Sequence, residues 1–332
     1  MRIDSSAPTR IDLAGGTVDI WPLYLLHEGA QTLNVAITLR ASCRLQPHQS
    51  GRVAIHSIDT GTRVEVDDWR SLAASHELEL LAIILRHFRA SGIEVTTDTQ
   101  SPLGAGIAGS SALNIAVCAA LARWSGRALD ADALMALAMN LEARAIHVPT
   151  GVQDYRPAVY GGVSAVELGA EGTPRRAVPV DLDALEAHLV LAYTGASRKS
   201  GINNWDVFKR RIDGDRTMQA LFDRITEISG RMRIALESSH WTEVAACLAE
   251  EWSLRKRLAP GVSTPAIDVM IEAAIAAGGL AAKVCGAGGG GCLAIFAPPR
   301  RTADVRAALG RTGARLLDVR IDREGLTVAA DG

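Results

Sequence analysis

The sequence is poor in the features that mark several large classes of protein. Its five cysteines, at 43, 118, 247, 285 and 292, form no CxxC pair and leave an odd count. That pattern speaks against a disulfide framework or a zinc site and for reduced thiols in a cytoplasmic protein. No run of about 18 uninterrupted apolar residues occurs. One of the most apolar stretches, Ala266 to Ala282, is broken by Asp268, Glu272 and Gly278-Gly279, so no membrane span is expected. The N-terminus, MRIDSSAPTRIDLAGG, has no apolar run after its first basic residue, and no secretory signal is expected. One-sided charge is missing as well. With 35 Lys and Arg against 37 Asp and Glu, the net charge is -2, so neither nucleic acid nor an anionic membrane is an expected partner. Lys209-Arg210-Arg211 and Arg300-Arg301 are too short to change that and read as solvated helix faces. Internal repeats and low-complexity linkers are also lacking.

What is present is an ordinary globular composition, 48% hydrophobic and 22% charged over 332 residues, enough for two domains. Residues 171–183 hold Gly172, Pro174, Pro179 and three acidic residues, which places a boundary between domains 1–170 and 171–332. The first 60 or so residues mix glycine turns with short strand-like runs such as Val35–Leu39 and Arg52–Ile55. Apolar positions 80, 81, 84, 85 and 88 recur at helical spacing, and Ser91-Gly92 stop the run. Ile93–Thr97 alternate like a strand, and an apolar helix is expected from Ser110 to about Trp124. Asp130 caps another helix running to about Ile146. Beyond the boundary come a strand (Leu189–Tyr193), long helices between about 203 and 257, and a helix at 264–277. A glycine run, a strand (Leu293–Phe296) and a last helix from about Thr302 follow. Strands and helices mix without strict βαβ alternation, so the fold class is α+β.

Two glycine-rich segments and two carboxylates carry chemistry. In SPLGAGIAGSSALN, from Ser101 to Asn114, Gly104, Gly106 and Gly109 let backbone amides approach a ligand. The helix that follows offers free N–H groups and the positive end of its dipole to phosphate oxygens. Gly104-x-Gly106-x-x-Gly109 formally matches a dinucleotide motif. However, the acidic residue expected about 20 positions on falls at Asp130, a helix cap. No Gly-Lys-Ser/Thr is present, so a Walker loop is excluded. A tightly packed turn without ligand is the plain alternative. Glu142 flanks or joins the apolar face of its helix, and a carboxylate there calls for a partner or a metal. Asp154 stands in TGVQDYRPAVYGG among glycines 151, 161 and 162. Phosphoryl transfer needs a phosphate cradle, a metal ligand, a group that takes or orients the hydroxyl proton, and a cation. The loop, Glu142 with a loop serine, Asp154 and Arg10 fill those four roles. The second run, KVCGAGGGGCLAIF, suits a strand–turn–strand whose backbone approaches a ligand or supports the first loop.

Three segments resemble, in order, the three signature motifs of the GHMP kinases: APTRIDLAGGTVD, PLGAGIAGSSA and KVCGAGGGGC. The resemblance implies a two-domain GHMP kinase fold, its first domain like ribosomal protein S5 domain 2, with the active site in the cleft between the domains. It implies ATP and Mg²⁺ as cofactors and a small-molecule acceptor. Pro102, Gly104, Ala105, Gly106, Ile107, Ala108, Gly109, Ser110 and Ser111 match the ATP phosphate loop. Glu142 matches one magnesium ligand. Ser110 or Ser111 matches the other, depending on whether one counts from Pro102 or from the Gly-Ser-Ser-Ala step. Asp154 matches the catalytic aspartate and Arg10 the basic residue beside it. Asp19 matches the acidic residue that contacts substrate hydroxyls in sugar-binding members. Gly16, Thr17, Gly288 and Gly289 are expected on the substrate side.

AGGxxD, VQDYRPAVYGG, YTGASRKSG and WSLRKRLAPGVSTPAID resemble the bacterial heptose 7-phosphate and fucose-type kinases. If the acceptor already carries a phosphate, Arg198 and Lys199 are candidates to hold it, with a surface salt bridge as the alternative role. The chain departs from that pattern where AGGGTD becomes AGGTVD, where QDQYAA becomes QDYRPA, and where a Gly-Ser pair becomes Ala108-Gly109. The expectation is an ATP-dependent kinase acting on a sugar or sugar phosphate, heptose 7-phosphate-like, with a homodimer left open. The alternatives are a nucleotide-binding sensor without turnover and a kinase of a mevalonate-type acid. A sensor would lack one of the four roles, and this sequence lacks none. Decarboxylation coupled to phosphorylation is disfavoured by the sugar-type first motif.

Overall fold

Two long strands carry the first half of the chain, β1 (Arg2–Ala14) and β2 (Gln31–Pro47), paired antiparallel with a register shift at Pro8/Thr9. A computed structural model describes residues 1–72, 78–197 and 204–331. The glycine-turn reading of the first 60 residues is therefore too fragmented. Pro8 sits in a central strand because the pairing bulges there, which spares a ladder hydrogen bond.

After β2 come β3 (Val53–Ser57), β4 (Thr62–Val66), α1 (Glu79–Phe88), β5 (Ile93–Thr99), α2 (Gly109–Trp124), α3 (Ala131–Ile146) and α4 (Tyr155–Tyr160). Next are β6 (Val163–Glu167), β7 (Arg175–Ala177), α5 (Leu182–His188) and β8 (Leu189–Tyr193). The chain continues with α6 (Asn204–Ile212), α7 (Arg216–Glu237), α8 (Trp241–Arg255) and α9 (Pro265–Ala276). It ends with β9 (Ala281–Val284), β10 (Cys292–Phe296), α10 (Thr302–Arg311), β11 (Arg315–Leu317) and β12 (Thr327–Asp331).

The first sheet runs β12-β1-β2-β5-β3-β4, with β6 also on β2 and β7 on β6; the second runs β11-β8-β10-β9. Within the first, β3 and β5 are parallel, whereas the second is antiparallel throughout. Helices and two separate sheets make the α+β, two-domain arrangement that the sequence leads one to expect. Backbone beyond residue 171 serves both sheets, since β7 and β12 join the first. Among the described residues no helix is long and apolar enough to cross a membrane.

Two cores position the site. One packs Ile3, Leu45 and Val95 of the first sheet against Ile84 and Leu85 of α1, Ile115 and Leu121 of α2 and Leu134 of α3. The second reaches across the molecule, joining Ile11, Leu33 and Val35 of β1 and β2 to Ile228 and Met232 of α7 and Phe296 of β10. Burying each such side chain is worth about 1.5–3 kcal/mol, so this core holds the two sheets together. Helix α2 is buried nearly all round, and its alanines at 112, 116, 119, 120 and 122 let it lie close to its neighbours. Asp130 caps α3 by accepting from the Ala133 N–H at 2.8 Å, the role its sequence position suggests. Pro157 falls in the first turn of α4, where a helix does not use its N–H.

Candidate active site

The loop between β5 and α2 is shaped by alternating backbone handedness. Gly104, Gly106 and Ala108 have φ of 69°, 72° and 62°, and the intervening residues do not. Such alternation turns successive N–H groups toward one side and makes an anion-binding concavity. Ala108 is the N-cap of α2 and makes no side-chain cap, so the helix N-terminus is left to whatever lies in the loop.

The second glycine run supports the first. A Cβ on Gly106 would lie 2.5 Å from the Cys285 carbonyl oxygen, and one on Gly291 would lie 2.6 Å from that of Ala105. The Cys292 N–H donates to the Ala105 carbonyl at 2.7 Å. Glycine is required at both places because backbone meets backbone. Gly288 and Gly289 pack elsewhere, against the turn before α9: the Gly289 N–H donates to the Val262 carbonyl at 2.9 Å.

Arg10 reaches from β1 under this loop. Its backbone N–H donates to the Ile107 carbonyl at 3.0 Å and its Nη1 to the Gly106 carbonyl at 2.9 Å. Its Nε and Nη2 both reach Oδ1 of Asp154, at 2.9 and 2.6 Å. Asp154 keeps 28% of its side chain exposed, and its second oxygen takes no part in that fork. Burial opposes the Arg10 charge, but Asp154 and Asp12 outweigh it and raise its pKa.

Glu142 lies on α3 with 6% exposure. Ser110 Oγ donates to its Oε1 at 2.6 Å, and the Tyr155 hydroxyl donates to its Oε2 at 2.8 Å. Burial raises its pKa, the hydroxyls of Ser110, Tyr155 and Ser111 pull it down, and Asp154 pushes it up. Its neighbours are thus hydroxyls and a like charge, with no basic group among those that shift it. That donor set fits a hard cation, for which carboxylate and hydroxyl oxygens are suitable ligands. Among the described residues no group of three or more His, Cys, Asp or Glu is arranged to hold a metal.

Asp19 follows the Gly15-Gly16-Thr17 turn and is 1% exposed. It accepts from the Gln153 N–H at 3.0 Å, and a Cβ on Gly151 would overlap its carboxylate. Burial pushes its pKa up to about 6, with Asp154 adding to the shift and the Gln153 N–H and Arg10 opposing it.

Behind these groups runs a chain of buried charges that sequence reading missed. Asp12 accepts from Lys283 Nζ at 2.9 Å and from the Gly286 N–H at 2.8 Å. Lys283 also pairs with Glu251 Oε2 at 3.1 Å, and Glu251 holds Arg255 at 2.7 and 2.9 Å. Arg255 donates to the Gly16 carbonyl at 3.0 Å and to the Thr17 hydroxyl at 3.3 Å. Asp12, Lys283 and Glu251 are fully buried, and Arg10 and Arg255 nearly so. The three cations balance Asp12, Glu251 and Asp154. Burial alone would raise the Asp12 pKa, but Lys283, Arg10, Arg255 and the Gly286 N–H bring it below the usual carboxylate range. The chain links β1, β9 and α8, so it fixes the Gly15-Gly16-Thr17 turn and both glycine segments relative to one another. Its one sequence signal is a lysine in an otherwise apolar run, AAKVC.

The structure therefore brings together Arg10, Asp154, Glu142, Ser110 and the glycine loop, with Asp19, Gly16 and Thr17 beside them. Arg198 and Lys199 lie outside the described residues. A separate cavity of about 1060 Å³, lined by Met135, Met139, Leu168 and Arg233, shares Val152, Tyr155 and Arg156 with the segment around Asp154.

Comparison with known proteins identifies the family. The GHMP kinases N terminal domain matches residues 76–162 and the GHMP kinases C terminal domain matches residues 232–315. The D-glycero-alpha-D-manno-heptose 7-phosphate kinase of Campylobacter jejuni is 26% identical over 334 residues, with 98% of each chain covered. A mevalonate kinase of Thermococcus sibiricus is 27% identical over 354 residues, covering 99% of this chain and 98% of that one. The crystal structure of a D-glycero-D-manno-heptose 1-phosphate kinase from Bacteroides thetaiotaomicron superposes with a TM-score of 0.79 at 24% identity, with 99% of each chain covered. With both domain signatures in order and the fold shared along its whole length, the chain belongs to the GHMP kinases.

Proposed function

We propose that the protein transfers the γ-phosphoryl group of ATP to a hydroxyl of a sugar or sugar phosphate, with a heptose 7-phosphate-like acceptor favoured. The observation that carries this reading is the meeting of two pairs at one glycine loop, Arg10 with Asp154 and Ser110 with Glu142. The loop N–H groups and the open N-terminus of α2 hold the nucleotide phosphates. Glu142 and Ser110 would hold a magnesium ion, with Ser111 packed behind. Bound there, it would supply charge neutralisation to the nucleotide phosphates. Arg10 fixes one oxygen of Asp154 and leaves the other to orient the acceptor hydroxyl and take its proton. Asp19, with Gly16 and Thr17, receives the acceptor's other hydroxyls. A buried carboxylate at Asp19 supports a polyhydroxy acceptor over a mevalonate-type acid, whose own charge it would repel.

The test is ADP release with Mg-ATP across heptose 7-phosphate, mannose, fucose, galactose, glucuronate and mevalonate, with Asp154→Asn as control. One sugar is expected to give turnover that the control loses by several orders of magnitude, with nucleotide binding retained. Silence across the panel with ATP still bound would instead favour a binding-only protein.

A further inference from the structure

Glu142 has two oxygens, and the structure gives each its own partner. Oε1 faces the Ser110 hydroxyl at 2.6 Å, while Oε2 accepts from the Tyr155 hydroxyl at 2.8 Å. Tyr155 is 2% exposed and its ring belongs to the core under α2 and α3, so the phenol is a rigid donor. It opens α4 directly after Asp154, whose own backbone is already helical at φ -73° and ψ -29°. Asp154 and Tyr155 therefore share one turn, the first side chain reaching Arg10 and the second Glu142.

We propose that Tyr155 is a positioning residue for the metal site. Its hydroxyl occupies Oε2 of Glu142 and turns Oε1, with Ser110, toward the cation as a single-oxygen ligand. A carboxylate lacking that donor rotates about its terminal bond and presents its two oxygens interchangeably, which weakens a site built for one of them. Partners that orient a metal ligand typically account for about 10–100-fold in metal affinity. Because the same turn carries Asp154, the metal ligand and the proton acceptor are set by one piece of backbone. This inference rests on the reading of Glu142 as the metal ligand.

The experiment is Mn²⁺ binding to the protein–ADP complex, followed by loss of the free-Mn²⁺ electron paramagnetic resonance signal. It compares wild type, Tyr155→Phe and Glu142→Gln, each first shown by circular dichroism to be folded. Tyr155→Phe is expected to raise the Mn²⁺ Kd about 10-fold. Glu142→Gln is expected to weaken Mn²⁺ binding further. Should Glu142→Gln bind Mn²⁺ like wild type, the metal-site reading itself falls. Should Glu142→Gln weaken binding while Tyr155→Phe does not, that reading stands and the role of Tyr155 is overturned. A purely packing role for the tyrosine would lower the melting temperature without moving the Mn²⁺ Kd of the folded protein.

Discussion

Replacing Asp19 by asparagine is expected to make the protein more stable and a poorer enzyme, and the two effects have one cause. Asp19 is almost wholly buried, and its carboxyl pKa is pushed from 3.8 up to about 6. Between about pH 4 and pH 6 the folded chain therefore holds a proton that the unfolded chain has released. That contribution to stability is complete below about pH 4 and is lost as the pH rises through 6. Above that, the charged carboxylate weighs against folding by about 3 kcal/mol, at about 1.4 kcal/mol per tenfold change in proton affinity. Asparagine keeps a carbonyl oxygen for the Gln153 N–H and carries no charge to desolvate.

Equilibrium urea unfolding of Asp19→Asn and wild type, with linear extrapolation to water, should show a gain of about 1–3 kcal/mol at pH 7.5. At pH 4 the two should agree to within about 0.5 kcal/mol. The variant's KM for the sugar should rise at least about tenfold, the loss of one charge-assisted hydrogen bond. A variant that is less stable than wild type at both pH values would refute the reasoning. Its carboxylate would then be a supporting group and not a strained one held for the substrate.

Lys283→Met should lower the unfolding free energy by about 3–5 kcal/mol, since it leaves Asp12 and Glu251 as buried carboxylates short of a cation. Urea denaturation measures this, and adding Asp12→Asn should recover part of it. Gly106→Ala places a methyl against the Cys285 carbonyl at φ 72°. Nucleotide titration should show at least about a tenfold weaker ATP Kd with sugar binding retained. Glu142→Gln should raise the magnesium concentration needed for half-maximal turnover about tenfold or more; an unchanged requirement would remove Glu142 from the metal site.

Much of the site was legible because its residues announce themselves by type and spacing. A glycine loop before an apolar helix, Glu142 among apolar neighbours and Asp154 between glycines each raise a chemical question on their own. Neither Asp12 nor Glu251 nor Arg255 raises one, since charged residues are mostly at the surface. Only the tertiary structure turns them inward, where each is tolerable because the next neutralises it. The fold shows the same division. Helices α1, α2 and α3 follow apolar periodicity and caps, whereas β12 is exposed along its whole length and carries no hydrophobic pattern. It is placed from outside itself, by β1 on its edge and by Arg40, which reaches Asp322 and the Gly325 carbonyl just before it.

The backbone-to-backbone contact between the two glycine segments bears on how the protein is made. The first glycine loop is complete as sequence by residue 111, but its floor is Cys285 and its flank is Gly291. Lys283, which steadies Asp12 beneath it, arrives equally late. During synthesis, at about 5–20 residues per second, roughly 170 residues separate the loop from the strands that shape it. For that interval the glycine loop exists without the backbone that packs against it. A chain stopped before residue 281 would lack those backbone contacts. The packed shape of that loop is therefore complete only once β9 and β10 have been made.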